Sequence, residues 1–361
     1  MANETNFNEV VSEVAEVEET TVVADETKEE IGAPNQKPPF NLKKFLHKIK
    51  FDKWKAWIYL SPALVLLAVF TVWPIINTVR MAFLENYNSF ENAAGVTFKI
   101  GLGNFKDVIE YKKFLDCLKT TMLLCVLTVP ISTILALLIA VGLNSIKFLN
   151  RFLQTIFFLP YVTNSIAIGM VFAAMFNIVG TNVNRPDSAI ISTYGIINNV
   201  LGVFGVKPIN WMNAGSFYPE NIIVMTIYIV WNALPFKILV LLGGLQSINK
   251  QYYDAAKVDG TSRARVFARI TVPLLSPMIA YVVITGFIGG FKEYSSIVGV
   301  FGDTMGPVGD KGRLNTMVGF IYDALSTSKQ GRASAAALIL FGIILVVTLI
   351  NLQVSKKKTH Y

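Results

Sequence analysis

The sequence predicts an all-α membrane protein with six transmembrane helices. Three observations carry this expectation. Hydrophobic residues fill 53% of the 361 positions and charged residues only 16%, against about a quarter charged in a soluble globular chain. The apolar residues gather into six runs, each near the roughly 20 residues that a bilayer crossing needs. Lys and Arg stand mostly between those runs. The mean hydropathy of +0.50 agrees with lipid as solvent, and the net charge of +8 reads as a topology signal rather than a nucleic-acid footprint.

Taken in order, residues 1–40 begin with an acidic, polar stretch that includes Glu13, Glu16, Glu18, Glu19, Asp25, Glu29 and Glu30. It holds too little apolar surface to offset chain entropy, so a disordered tail is expected. It also lacks the basic start and apolar core of a cleavable signal peptide. Residues 41–57 are basic with Phe45, Phe51 and Trp54 interleaved, the pattern of an amphipathic segment lying on an anionic membrane face.

The apolar region 58–354 follows. Its apolar runs are Ile58–Val79, Thr120–Leu143, Phe152–Ile178, Asn221–Leu242, Met278–Phe301 and Ala333–Val354. Four contain no charge; the fourth run holds Lys237, and the fifth holds Lys292 and Glu293. Proline is tolerated in such runs because neighbouring helices satisfy the freed carbonyls. With six crossings, both termini share a side with the second and fourth connections. That side collects 18 basic residues against 12, which places both termini and the basic tail 355–361 in the cytoplasm.

Catalysis starts from a poor position. Cys117 and Cys125 lie eight apart without a redox pattern, and His47 and His360 have no clustered partner for a metal. No catalytic residue and no metal ligand is assigned. Asp303, Asp310 and Asp323 are scattered in the sequence without the spacing of a paired-acid site.

The second connection, from Asn144 to Arg151, is short and joins antiparallel neighbours. The fourth is far longer than a hairpin needs, and long ordered loops tend to be functional. Its residues 246–273 predict a helix over Tyr252–Val258, a turn at Gly260, and a second helix capped by Thr261 or Ser262 and stopped by Pro273. On spacing alone this helix-turn-helix is either an interfacial connector or a docking element.

The residues of the loop resemble the signature of binding-protein-dependent ABC import permeases: Glu-Ala-Ala, three residues, Gly, nine residues, Ile, one residue, Leu-Pro. Here they read Asp254-Ala255-Ala256, Gly260, Ile270 and Val272-Pro273, with Asp for Glu and Val for Leu. The resemblance extends from about Phe152 to Gln353, through Phe158-Leu-Pro160, Asn177 with Gly180 and Asn184, Gly195-Ile-Ile-Asn198 and Asn210-Trp211. It continues through Trp231, Pro235-Phe236, Leu245-Gln246, Gly306-Pro307, Tyr322 and Gly331-Arg-Ala-Ser-Ala335. This order is similar to the sugar-permease branch of the family.

The resemblance implies a six-helix ABC importer permease bundle in a bacterial cytoplasmic membrane, with a cytoplasmic coupling-helix loop. Asp254, Ala255, Ala256 and Gly260 would contact a separate ABC ATPase subunit. ATP and Mg would belong to that subunit, since this chain has no Gly-x-x-x-x-Gly-Lys-Ser/Thr loop and is itself no enzyme. Asn232, Ala233, Phe236, Gly290 and Glu293 would line the path of a disaccharide or oligosaccharide. The implied partners are a second homologous permease, two ATPases, an extracellular sugar-binding protein and membrane lipid, without nucleic acid. Asn and Glu can hydrogen-bond sugar hydroxyls, and Phe236 or Phe291 can present an apolar face to a sugar ring. Phe291 is equally read as packing, Trp231 as an interface anchor, and Lys237 and Lys292 as snorkelling or pairing with Glu293. The alternatives are a permease for another solute such as glycerol phosphate, a secondary transporter acting alone, which would show inverted repeats and its own ion site, and a membrane-embedded enzyme.

Overall fold

A computed structural model of the chain describes residues 55, 57–146, 150–179 and 193–358. The tail 1–40, nearly all of segment 41–57, and Lys147, Gly180 and Asn184 lie outside the described residues. The chain divides into two compact units, Met1–Val72 and Trp73–Tyr361. In the first, the described residues are helical and wholly exposed, and the helix widens into a π turn at Ala68–Val72. Phe70 is 74% exposed there. An apolar surface so open on every side belongs against lipid or another protein, not water.

The second unit is built from helices α1 (Trp73–Phe83), α2 (Ser89–Ala93), α3 (Gly103–Glu110), α4 (Lys112–Ser145), α5 (Asn150–Val162), α6 (Ser165–Phe176) and α7 (Ile196–Val203). These are followed by α8 (Tyr218–Ser247), α9 (Lys250–Val258), α10 (Arg263–Val266), α11 (Ser276–Phe291), α12 (Ser295–Phe301), α13 (Met317–Ser326) and α14 (Gln330–Lys358). A two-residue antiparallel ladder, β1 (Ile178–Val179) with β2 (Thr193–Tyr194), joins α6 to α7.

Four stretches are long and apolar enough to cross a membrane: Trp57–Phe83, Lys112–Ser145, Tyr218–Ser247 and Gln330–Lys356. Two bent pairs bring the number to six. Phe152–Val162 turns through 100° into Ser165–Phe176, and Arg263–Leu274 turns through 67° into Ser276–Phe291. With each bent pair counted as one span, the described residues hold the six expected spans, with two corrections to their course.

The run Phe152–Ile178 is not one straight span. Asn164 breaks it by accepting the Ile166 and Ala167 amides on its side chain, at 2.8 and 3.4 Å, and so starts a new helix. The run Met278–Phe301 ends early, at Phe291. Lys292, Glu293 and Tyr294 interrupt it before α12 begins.

Pro273 does not stop the loop's second helix either. Proline lacks an amide and its ring clashes with the carbonyl four residues back. The chain absorbs this by opening the turn Phe267–Thr271 into a π-helix, where the Val272 amide reaches Phe267 O. The bend comes at Leu275 instead.

α4 and α8 form the axis, packing side by side along their length. Three apolar clusters surround them. One gathers Phe172, Phe176, Trp211, Met225, Tyr228 and Ile297. The second joins Ala82, Val108, Phe114, Phe291, Phe320 and Ala335. The third, nearer the end of α8, packs Ala136, Ala140, Ile238, Leu241, Leu275 and Val282. Large apolar side chains such as Val162 and Val171 stay exposed outside them. With no hydrophobic drive between helices in lipid, close packing falls to small residues. A Cβ on Gly290 would lie 2.8 Å from Cys125 Sγ, and one on Gly169 would lie 2.7 Å from the Gly299 backbone. These contacts bring α11 against α4 and α6 against α12.

Candidate transport path and coupling site

A cavity of about 240 Å³ opens between α4, α8 and the end of α11. Asn232, Ala233, Phe236, Gly290 and Glu293, the five residues expected along the path, all line it. Two features of the sequence bring them together. Asn232, Ala233 and Phe236 share one face of α8 by helical spacing, and the break after Phe291 turns Glu293 toward that face. Glu293 is fixed there: its Oε1 accepts the Tyr294 and Ser296 amides at 3.2 Å each, and its carbonyl accepts from Thr316 Oγ1 at 2.7 Å. Phe236 stacks on Tyr161 with ring centroids 6.2 Å apart and tilts over Tyr281 at 6.5 Å. Asn232 Nδ2 lies 3.4 Å from Ser165 Oγ. Cavities that enclose a drug-sized ligand run to roughly 300–1,000 Å³, so this one suits a short stretch of a polar solute rather than tight capture of a long one.

Other side chains read differently from their sequence expectations. Lys237 neither snorkels nor pairs with Glu293. It is 4% exposed and its Nζ donates to Val129 O at 3.2 Å, Ser132 Oγ at 2.7 Å and Thr133 Oγ1 at 2.9 Å. Thr128, Ser132 and Thr133 flank Pro130 in an uncharged span, a polar knot already visible in the sequence. Phe291 is 2% exposed in the second apolar cluster, so it offers no face to a solute. Trp231, partly buried, packs its ring on Phe172 at 5.2 Å against the first apolar cluster.

The signature loop forms the expected helix-turn-helix. Asn249 caps α9 by accepting the Gln251 amide at 2.9 Å. Its far end closes as a Schellman motif: the Gly260 amide donates to Lys257 O at 3.1 Å and the Thr261 amide to Ala256 O at 3.0 Å. Gly260 takes φ +63°, the left-handed region that glycine enters without penalty. Ser262 stands at the start of α10 but makes no side-chain cap bond.

The four expected contact residues divide. Asp254, Ala255 and Gly260 are exposed, whereas Ala256 is 6% exposed and turned inward. Small size at 256 therefore serves the fold of the loop. Tyr253 OH meets Thr271 Oγ1 at 3.3 Å, tying α9 to the π turn before α11. A pocket of about 420 Å³ lies between α9 and α10, lined by Ala255, Asp259, Arg265 and Arg269 among others.

At the other end of α4 and α8 lies a larger cavity, about 670 Å³. Asp303, Asp310 and Asp323, scattered in sequence, meet there with Asp116, together with Lys113, Lys119, Lys311 and Arg313. Arg313 pairs with Asp310 and donates to Ser216 O at 2.5 Å. Acids and bases are thus interleaved, and among the described residues no group of three or more His, Cys, Asp or Glu is placed to hold a metal ion.

Several motif residues act as pins at this end. Asn198 joins Ile209 through both backbone groups, at 2.9 and 3.1 Å, and accepts from Trp211 Nε1 at 3.0 Å. Asn213 Nδ2 donates to Asn177 Oδ1 at 2.7 Å. Arg332 reaches Asp107 at 2.5 Å and lies 4.9 Å over the Tyr111 ring.

Comparison with known proteins places this architecture. The chain is 29% identical over 306 residues to the arabinooligosaccharides transport system permease protein AraP of Bacillus subtilis (strain 168), covering 83% of this chain and 88% of that one. It is 28% identical over 299 residues to the lactose transport system permease protein LacF of Rhizobium radiobacter, covering 82% and 91%. The fold matches a crystal structure of a bacterial ABC transporter involved in the import of the acidic polysaccharide alginate, with TM-score 0.69 and 21% identity, over 88% of this chain and all of that one. Residues 110–360 match the family described as binding-protein-dependent transport system inner membrane component. With its apolar membrane-length helices, a cavity between α4, α8 and the end of α11, and the signature loop folded at the end of α8, the chain belongs to that family of multi-pass inner-membrane permease components.

Proposed function

We propose that the chain provides the translocation path of an ATP-driven carbohydrate importer. One observation carries the site reading: Asn232, Ala233, Phe236, Gly290 and Glu293 line a single cavity, and α8, which holds three of them, leads directly into the exposed signature loop. Phe236 and the end of α8 are about 17 Å apart along the helix axis. The relatives' names, arabinooligosaccharides and lactose transport, support a saccharide as the solute.

In this reading Asp254, Ala255 and Gly260 present the loop to a separate ABC ATPase, with Ala256 shaping it from within. The ATPase holds ATP and Mg, and this chain catalyses nothing. A second homologous permease completes the path, an extracellular sugar-binding protein delivers the solute, and both termini lie in the cytoplasm. Asn232 and Glu293 exchange hydrogen bonds with sugar hydroxyls while Phe236 supplies an apolar face.

The test is uptake of labelled disaccharide into proteoliposomes holding the permease pair, the ATPase and the binding protein. Uptake should require ATP and should fall with Asp254→Lys, together with ATPase association. Uptake that persists without the ATPase would sink this reading in favour of a secondary transporter.

A further inference from the structure

The larger cavity, at the end of α4 and α8 away from the signature loop, has no part in the path proposed so far. At about 670 Å³ it falls within the roughly 300–1,000 Å³ of sites that enclose a small ligand, whereas the central cavity falls below that range. Its walls are built by fixed elements. Helical spacing sets Asp116, Lys119, Thr120 and Leu123 on one face of α4. The hydroxyl of Tyr218, at the start of α8, meets Thr120 Oγ1 at 3.2 Å. Another wall is the segment 302–316, where the Gly312 amide donates to Thr304 O at 2.8 Å and the Leu314 amide to Met305 O at 2.9 Å.

The lining carries four carboxylates and four cationic side chains. Arg313 is committed to Asp310, and Asp323 accepts from Asn315 Nδ2 at 2.7 Å. Lys113, Asp116, Lys119, Asp303 and Lys311 make no side-chain hydrogen bond or ion pair among the described residues. Asn315 is 6% exposed, and its Oδ1 has no partner in the room that Gly319 leaves, where a Cβ would lie 1.9 Å from it. An ammonium only donates and a carboxylate only accepts, while a hydroxyl does both. Uncommitted donors and acceptors interleaved without net charge therefore complement a neutral polyhydroxyl solute better than an ion of either sign.

The two cavities are also joined. Asn315 and Asp323 line the larger one. Thr316, next to Asn315, donates to the carbonyl of Glu293 at 2.7 Å. Tyr322, next to Asp323, stacks on Tyr294 with ring centroids 4.5 Å apart. Glu293 lines the central cavity, so the two linings are tied through neighbouring residues.

We propose that the larger cavity is a saccharide subsite in its own right, the first seat of the solute, in series with the central cavity. The inference rests on the proposed reading of the chain as a saccharide path with this end facing outward. It assigns Asp116, Lys119 and Asp303 hydrogen bonds to sugar hydroxyls.

The experiment uses the permease–ATPase complex in nanodiscs without binding protein, so that no other pocket competes. A diazirine derivative of lactose is photolysed on the complex, and the labelled peptides of this chain are identified by mass spectrometry. Label should fall on 112–123 and 302–316 as well as on α8, and excess lactose should displace it where excess glutamate or lysine does not. Asp116→Asn with Lys119→Met should raise the half-saturating probe concentration for the 112–123 and 302–316 label by about tenfold or more, the scale of lost charge-assisted hydrogen bonds. Label on α8 should stay unchanged, which also shows that the variant is folded. Should that variant fail to accumulate, Asp303→Asn carries the arm from the other wall.

Label confined to α8 and residues 286–293 overturns the inference and leaves the proposed path standing. Label at the larger cavity that lactose does not displace, that glutamate or lysine displaces equally, or that ignores the substitutions overturns it as well. Displaceable label at the larger cavity alone supports the subsite and sinks the central one. Displaceable label at neither cavity sinks the saccharide path and this inference with it.

Discussion

Gly260 allows the signature loop, and its proposed contact with an ATPase, to be probed without adding a clash. Its φ of +63° lies in the left-handed region, which costs an L residue about 1–2 kcal/mol, less for Asn. A Cβ built there meets no atom within 4 Å, so backbone strain is the whole of the expected penalty within the permease. Alanine should therefore lower the population of the closed turn about 5–30-fold relative to glycine. If the ATPase recognises only the closed turn, its apparent affinity falls by the same factor once the open form dominates. Asparagine should lose less, and valine more, because a β-branched residue at positive φ is an outlier. Titration of the permease in nanodiscs with the proposed ATPase gives the ranking directly. Equal affinities for glycine and valine, or an asparagine variant as weak as valine, would refute the argument that this turn is what the partner reads.

Other expectations follow from packing. Gly290→Ala drives a Cβ to 2.8 Å from Cys125 Sγ and should cost about 1–3 kcal/mol, visible as a lower melting point in detergent; Cys125→Ala should recover much of it. Gly169→Ala meets backbone at Gly299 instead, so no side-chain change on α12 should rescue it. Asn198→Leu strands the Ile209 amide and the Trp211 indole N–H, each a loss of about 1–3 kcal/mol, and should lower the melting point while shifting tryptophan emission. Arg332→Lys should weaken thermal stability by only about 1 kcal/mol, since Asp107 is 42% exposed, and a larger loss would show that Tyr111 contributes more than stacking at an exposed site.

The spans were legible because lipid imposes a composition that length and charge alone reveal. Their breaks were not, for identifiable reasons. Asn164 sits in an apolar run where hydropathy averages over it, and only its capping bonds show that a new helix begins there. Lys292–Tyr294 carried two charges inside a run, which could have flagged the break; treated as cargo of a continuous helix, they hid it. Pro273 was read by its usual effect, and the π turn that accommodates it leaves no local composition signal. At the site, the resemblance named five residues that line one cavity but not Lys237's anchorage, because its partners lie more than a hundred positions away on α4. Ala256 was assigned by motif to a contact, and only burial distinguishes its inward turn from the outward face of Ala255.

The bond between Tyr253 and Thr271 gives the loop a mechanical property. α9 is stapled not to a flexible linker but to the π turn, which runs through a single bend into the helix that bears Gly290 and ends at Glu293. Loop and cavity wall thus form a bell crank with its elbow at Leu275. Leu275 is itself buried with Ala136, Ile238 and Leu241, so the pivot of that crank is seated against α4 and α8.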